Sequence, residues 1–553
     1  MIRPNGARSK TGCKTCRIRR VKCDEARPVC NRCSSTGRKC DGYVVCSAGH
    51  AKRPLIPRAY SSPAPCAAVG CFPRLSHAEA QGFVYFRDHT SREATGWFVS
   101  AIWKQMILPM AHREAAVMHA AVGVGAMHRS TRGQSPSLRL PACMESHHSF
   151  ALSQYVKAIR QLRERLDRFE HDRQNPEIAL VACLLFVCLE MLQGNRLGVL
   201  LHLQNGLRVL ASIPSQVRRV SNGEHRCLLV TRERPTGVEQ ITEILVRLDV
   251  DSTAFGERAP AYRIASALDA LGPERPLPPK FIDLVEARHF IDCLTSTAHH
   301  IRGDLLALSR EFCRDPPRDA AWRCCMEFAS IRMVRQSQHA ALFANMKTLE
   351  KNLAHWLASF QHLTPNSPED AQSSMFLEIR FHSVFLQLTT CHNDRETYCD
   401  QFAPTFHRIV DLCSLLIGDA VHSTGPTFVV DSGLIPSLYL TAIKCRRSEI
   451  RRRAISLLSR YPCQEGMWEP ALMGHFVHEV SRLEEVAARS ATRQEHSTRL
   501  TFEDVPEAAR FCVVIMAVTE RVGEGRLVCA RYMHETTGEL EITEHLIPIA
   551  LTE

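Results

Sequence analysis

The sequence predicts a mainly α protein in four parts. These are a basic arm (1–12), a small six-cysteine cluster module (13–42), a proline-rich linker (43–75) and a large all-α domain (76–553) that closes on a small β-hairpin. Three observations predict this. Six cysteines between Cys13 and Cys40 follow one spacing, C-x2-C-x6-C, twice, offset by seventeen residues. Pro54, Pro57, Pro63, Pro65 and Pro73 punctuate the next stretch, which precludes a continuous helix there. From about Ser76 onward the apolar residues mostly recur at helical spacing.

The arm, Met1–Thr11, is basic and polar and lacks the apolar run of a signal peptide. It is expected to be disordered until it meets a polyanion, with Arg3, Arg8 and Lys10 available to phosphates. Residues 1–60 hold 15 Lys and Arg against 3 Asp and Glu, a net +12; the remainder holds 54 against 55, a net −1. The whole basic excess of the chain therefore sits at its N-terminus, the footprint of a nucleic-acid-binding segment.

The cysteines define a metal site by counting. Thiolates are soft ligands, and four-coordinate sulfur sites favour zinc. Two zinc ions need eight Zn–S bonds, so six sulfurs suffice if two of them bridge both metals. The twofold repeat makes equivalent positions bridge, one from each half, without saying which pair. A single site on Cys13, Cys16, Cys30 and Cys33 would leave the matched spacing of Cys23 and Cys40 unexplained. A disulfide framework needs an oxidising compartment, and a redox CxxC needs a βαβ pattern that is missing here.

With its flanks RSKTG and DGY, the stretch CKTCRIRRVKCDEARPVCNRCSSTGRKC resembles the fungal Zn2Cys6 binuclear-cluster DNA-binding domain. The resemblance implies two Zn²⁺ held by Cys13, Cys16, Cys23, Cys30, Cys33 and Cys40, with Cys13 and Cys30 bridging. It implies two short helices, each begun by a CxxC, and a cis turn at Pro28 between the halves. It also implies that the first helix enters the major groove of double-stranded DNA and reads a CGG-like triplet. Arg20 matches the family's main base-reading position, and arginine suits guanine O6 and N7. Arg19 and Lys22 flank it as candidates for bases or phosphates. Lys14, Arg17 and Lys39 are expected at phosphates, which position the protein without specifying sequence. Arg32 and Arg38 are read as solvated charges.

The linker carries no a/d heptads. It therefore departs from relatives that pair through a coiled coil at this point, leaving a monomer or a homodimer formed through the helical domain as the alternatives. Beyond it, Ser76 with Glu79 makes a capping box. Helices are predicted over 113–130 and 145–172, and another from Pro176, a good first-turn residue. The run IALVACLLFVCLEML in that helix is some 15 residues of nearly all-round apolar character, shorter than the roughly 20 that cross a bilayer, and is read as a buried core helix. Further helices are predicted from His202 to Leu210 and near 281–312, 318–360, 373–393, 402–420, 433–460, 468–490 and 503–521. Loops are expected at 212–238, 256–280, 362–372 and 422–435, and a hairpin around Thr537-Gly538.

The segments YFRDHTSREATGWF, EAAVMHAAVGVGAMHRS, LVACLLFVCLEMLQGN with HLQNGLRVL, and more weakly ILVRLDVDSTAFG and RRRAISLLSRYPCQEGMW, resemble the helical regulatory region of fungal Zn2Cys6 transcription factors. These are helix-packing patterns, not ligand signatures. No HExxH, GxSxG, P-loop or strand-borne GxGxxG is present, so no enzyme is expected. His147-His148 and His299-His300 lack a carboxylate at metal spacing and are assigned surface or capping roles. The other 18 cysteines form no further CxxC and are read mostly as small buried hydrophobes. Lys444, Arg446, Arg447, Arg451, Arg452 and Arg453 read as an exposed polar helix face, with nuclear import as the rival.

The sequence thus points to a nuclear, sequence-specific transcription factor of RNA polymerase II genes. Its partners are double-stranded DNA and the transcription machinery, with no membrane, and its targets a metabolic or secondary-metabolite gene cluster. The alternative is a helical effector-binding or scaffold protein whose cluster is only a structural staple.

Overall fold

The computed structural model describes residues 12–19, 21–42, 75–98, 102–132, 145–168, 176–213, 217–219, 226–230, 237–253, 260–266, 277–313, 317–393, 395–422, 427–492, 505–518, 524–533 and 539–548. The chain divides into two units, 1–69 and 70–553. The first holds two short helices, α1 (Lys14–Ile18) and α2 (Asn31–Ser34), and the Arg27–Pro28 peptide between them is cis. The arm, the linker up to residue 74 and the hairpin tip at Thr537-Gly538 lie outside the described residues.

The second unit starts with α3 (His77–Tyr85), α4 (Ser91–Glu93), α5 (Leu108–Ala111), α6 (Ala115–Thr131), α7 (Glu145–Arg168), α8 (Pro176–Gln193), α9 (Arg196–Ala211) and α10 (Gly237–Ser252). The predicted capping box opens α3: Ser76 Oγ accepts from the Glu79 N–H at 3.3 Å, and the Ser76 N–H donates to Glu79 Oε2 at 2.9 Å. α8 is buried along its length and packs on α6, α9 and α10, the centre of one apolar core. Its neighbour α6 is rich in Ala and Gly for a reason of distance. A Cβ on Gly125 would lie 2.2 Å from Gly82 O in α3, so only hydrogen allows the two backbones to come this close.

The second core is built by α11 (Leu284–Ser309), α12 (Ala320–Ala329), α13 (Ala340–Phe360), α14 (Pro368–Thr390), α15 (Ala403–His422), α16 (Leu434–Lys444), α17 (Ser448–Arg460) and α18 (Pro470–Thr492). Trp356 anchors it. The indole stacks on Phe360 and Phe381 at 4.6 and 5.6 Å between ring centres, and its Nε1–H donates to Ala287 O at 2.9 Å. Buried ion pairs tie α10, α11 and α14: Arg247 reaches Asp292 at 3.2 Å and Asp431 at 3.0 Å, and Arg380 reaches Asp292 at 3.1 Å.

The strands are β1 (Val217–Arg219), β2 (Arg226–Val230), β3 (Arg263–Ser266), β4 (Phe428–Val429), β5 (Gln464–Glu465), β6 (Val513–Val518), β7 (Glu524–Tyr532) and β8 (Leu540–Pro548). β7 and β8 form the expected hairpin, with Tyr532 opposite Leu540. The helix expected over 503–521 is corrected: β6 lies antiparallel to β7, Ile515 opposite Val528, and completes a three-stranded sheet on which α12 packs. A short apolar run fits either period. Here the β-branched Val513, Val514 and Ile515 and the free edge of β7 decide for a strand. The stretches expected as loops at 212–238 and 256–280 contribute β1, β2 and β3, with β2 parallel to β3. Two long predicted helices are each broken in two, 318–360 after Ala329 and 433–460 after Lys444.

The second break corrects the reading of the basic run. Arg446 and Arg451 are buried, not exposed. Arg446 bonds Glu396 and Glu484 at 2.8 Å each, and Lys444 bonds Glu396 at 2.7 Å. His300 is likewise buried, its Nδ1 2.8 Å from Ser296 O, and His299 Nδ1 lies 3.1 Å from Thr253 Oγ1, so this pair does not sit at the surface.

Candidate metal centre and nucleic-acid interface

Each half of the N-terminal unit begins its helix on the first cysteine of a CxxC. Cys13 Sγ accepts from the Cys16 N–H at 3.4 Å, and Cys30 Sγ accepts from the Cys33 N–H at the same distance. The halves are locked by their aspartates, the residues that follow the third cysteine of each repeat. Asp24 crosses over to accept from the backbone N–H groups of Asn31 and Arg32, at 3.0 and 3.1 Å, at the start of α2. The Arg32 N–H, ahead of burial, holds the Asp24 carboxyl below the ordinary range. Seventeen residues on, Asp41 Oδ2 accepts from Thr15 Oγ1 in α1 at 2.8 Å, and the Asp41 N–H donates back to that oxygen at 2.9 Å. The recurrence of Cys-Asp at 23–24 and 40–41 was the available signal for this cross-capping. Gly12 was a second missed residue: a Cβ there would sit 2.9 Å from Cys23 Cβ.

The sulfurs converge. Those of Cys13, Cys16, Cys23 and Cys30 lie within 4.8 Å of one another, as do those of Cys13, Cys30, Cys33 and Cys40. Cys13 and Cys30 belong to both groups and are 3.6 Å apart. Within these groups Cys13–Cys33 and Cys16–Cys30 measure 3.9 and 3.7 Å. A tetrahedral zinc with Zn–S bonds of about 2.3 Å spaces its sulfurs by about 3.8 Å, so these separations suit the metal. All six thiols are free of disulfides. Five are buried, and burial is the largest influence raising the thiol pKa of Cys13, Cys16, Cys30 and Cys33. Thiolates at those positions therefore call for cations among them.

Around the sulfurs, Lys14, Lys22 and Lys39 are exposed. Arg19 is partly buried and donates to Thr36 Oγ1 at 3.3 Å, reaching from α1 to the second half. Arg20 and the side chain of Arg17 lie outside the described residues. Sequence reasoning passed over Ile18, which is 78% exposed on the cationic helix.

A six-sulfur, two-metal centre in a basic module, on a chain that continues into a helical body, defines a zinc-cluster transcription factor. The comparisons agree. The description "Fungal Zn(2)-Cys(6) binuclear cluster domain" matches residues 11–47. "Fungal specific transcription factor domain" matches residues 83–469, and the chain belongs to this family. It is 25% identical to the aspercryptin biosynthesis cluster-specific transcription regulator atnN of Emericella nidulans, over 96% of this chain and 94% of that protein. It is 33% identical over 133 residues to the Zn(2)-C6 fungal-type transcription factor afumD of Aspergillus fumigatus, 22% of this chain and 33% of that one. Over 41 residues it is 56% identical to the transcriptional regulatory protein moc3 of Schizosaccharomyces pombe, 7% of this chain and 8% of that protein. No solved structure matches the chain. The protein is a DNA-binding transcriptional regulator whose N-terminal domain binds two zinc ions.

Proposed function

We propose that Cys13, Cys16, Cys23 and Cys30 hold one zinc and Cys13, Cys30, Cys33 and Cys40 the other, so that Cys13 and Cys30 bridge. The observation that carries this reading is the pair of four-sulfur groups with those two cysteines in common. The metals supply the cross-link that a module with so few apolar side chains lacks, as in other small metal-folded domains. Residues 1–12 act as a basic arm, 13–42 as the DNA reader, 43–75 as a linker and 76–553 as the regulatory body. α1 enters the major groove, where Arg20 reads guanine in a CGG-like triplet, flanked by Arg19 and Lys22. Lys14, Arg17 and Lys39 meet phosphates and provide a salt-dependent share of the affinity. The protein works in the nucleus, is not an enzyme, and binds DNA as a monomer or as a homodimer formed through the helical body. Its targets are genes of a biosynthetic cluster; a regulator named for such a cluster aligns with nearly the whole chain.

The test is metal analysis of the purified full-length chain, followed by selection on randomised duplex DNA. Two zincs per chain and an enriched CGG-containing site are expected. Arg20→Ala should keep both zincs and lose the enrichment. A single zinc, or no enriched sequence, would sink the reading.

A further inference from the structure

Three helices of the second unit turn one face each to a common cavity of about 310 Å³, a size suited to a small ligand. Thr295, His299 and Arg302 line it from α11, and Arg380, Val384 and Gln387 from α14, both sets at i, i+4 and i+7. Ser437, Leu440 and Lys444 line it from α16, and β6 closes it with Val514. Ile331, Val384, Leu440, Ile443 and Val514 give the cavity apolar lining.

The charged groups on the cavity are mostly engaged. Glu396 takes Lys444 at 2.7 Å, Glu507 accepts from the N–H groups of Glu396 and Thr397 at 2.6 and 2.8 Å, and Asp251 accepts from Ser432 Oγ at 2.6 Å. Arg332 packs its guanidinium on the Tyr532 ring. Arg380 is held by Asp292 and by Ser432 O, yet its Nε is buried with no acceptor.

Arg302 is different. Its guanidinium lies 5.2 Å from the centre of the Phe328 ring and makes one long approach, 3.5 Å, to Thr253 O. Among the described residues no carboxylate stands within ion-pair distance of it. Burial is the largest influence and lowers its pKa, while the nearby Cys391 and Cys324 thiols pull the other way. His299, one turn away, is pushed well below the ordinary imidazole range by burial and then by the Arg302 charge, so it stays neutral and adds no second cation beside Arg302. A partly buried guanidinium with open donors suits a bidentate oxyanion such as a carboxylate or phosphate, and the apolar lining beside it favours a carboxylate on a hydrocarbon body.

We propose that this cavity binds a small organic carboxylate with an apolar body, its carboxylate on the fork of Arg302 and its body against Val384, Leu440 and Ile443. This goes beyond the DNA-reading proposal and does not depend on it.

The test uses the full-length chain with decanoate as probe and decanol as its uncharged counterpart, read by calorimetric titration and thermal melts. Decanoate should saturate one site. Arg302→Met should weaken decanoate at least tenfold, leave decanol binding unchanged, and melt no lower than the parent without ligand, because it removes an uncompensated charge. Equal decanoate affinity in parent and variant, or no saturable decanoate binding to the parent, overturns the proposal. Should Arg302→Met fail to fold, Arg302→Lys keeps a charge but loses the fork. At least threefold weaker binding is expected from it, and unchanged affinity overturns the proposal in that arm.

Discussion

Arg446 Nη2 and Glu484 Oε1 meet at 2.8 Å with neither side chain exposed to solvent. Glu484 also accepts from the Phe511 N–H at 2.8 Å and lies 2.8 Å from Arg451, while Arg446 extends to Glu396. One buried network thus joins the α16–α17 break, α18 and the approach to β6. Burial alone would raise the Glu484 carboxyl; Arg446 and Arg451 outweigh it and hold it at about 2. Removing Arg446 takes from two buried carboxylates the cation they share and leaves Glu484 on Arg451 and Glu396 on Lys444; breaking a buried pair costs up to about 3–5 kcal/mol. Arg446→Met should therefore destabilise the helical body by that amount in urea melts, and Arg446→Met with Glu484→Gln should recover part of it. A single-variant loss below about 1 kcal/mol, the range of a surface ion pair, would contradict the burial of this network.

Cys13 and Cys23 separate a shared ligand from an unshared one. Cys13→Ser takes a sulfur from both four-sulfur groups and should leave fewer than one zinc per chain. Cys23→Ser touches one group and should leave about one. Metal analysis after gel filtration reads both. Equal zinc loss from the two variants would rule out Cys13 as a bridge.

The Gly82–Gly125 approach makes a strong packing prediction. In Gly125→Ala the new methyl would meet Gly82 O at 2.2 Å and Phe86 Cβ at 2.9 Å, so α3 and α6 must separate. A loss of at least about 2 kcal/mol is expected from such overpacking. Gly418→Ala in α15 is the control: its Cβ would meet nothing within 4 Å. Alanine there should stabilise by about 0.5–1 kcal/mol through helix propensity. Chemical denaturation of both variants checks the pair, and similar losses in the two would refute the close approach.

What was legible in the sequence was local. The cysteine spacing, the Ser76–Glu79 capping box and the all-round apolar α8 are each written within a few residues and each reappear in space. What was not legible depended on distant partners. Arg446 sits in a run of cations that looks like a solvated face, and its acceptors Glu396 and Glu484 are 50 and 38 residues away. The period of VVIMAV is ambiguous until β7 is available to pair with it. The aspartate cross-caps were written as a repeat of Cys-Asp, but seventeen residues apart and so outside any single-helix signature.

Glu465 sets the last prediction. It is fully buried and accepts from the N–H groups of Gly433, Leu434 and Ile435 at 2.9, 3.3 and 3.0 Å and from Tyr461 Oη at 3.2 Å. Burial is the largest influence and pushes its carboxyl up to about 7, although the backbone donors and Tyr461 pull the other way. An ordinary glutamate, as in the unfolded chain, titrates near 4.5. The folded protein thus binds this proton more tightly than the unfolded chain does. Its stabilising contribution is complete below about pH 4.5 and is lost as pH rises to and through about 7, by an amount on the order of 1–3 kcal/mol. Glu465→Gln keeps the shape and an acceptor oxygen but does not titrate. Urea melts at pH 5 and pH 8 should show a larger loss of stability on going to pH 8 in the parent than in the variant, with other titrating groups cancelling in the comparison. If instead the parent gains stability relative to the variant at pH 8, the N–H cradle outweighs burial and the native carboxylate is ionised.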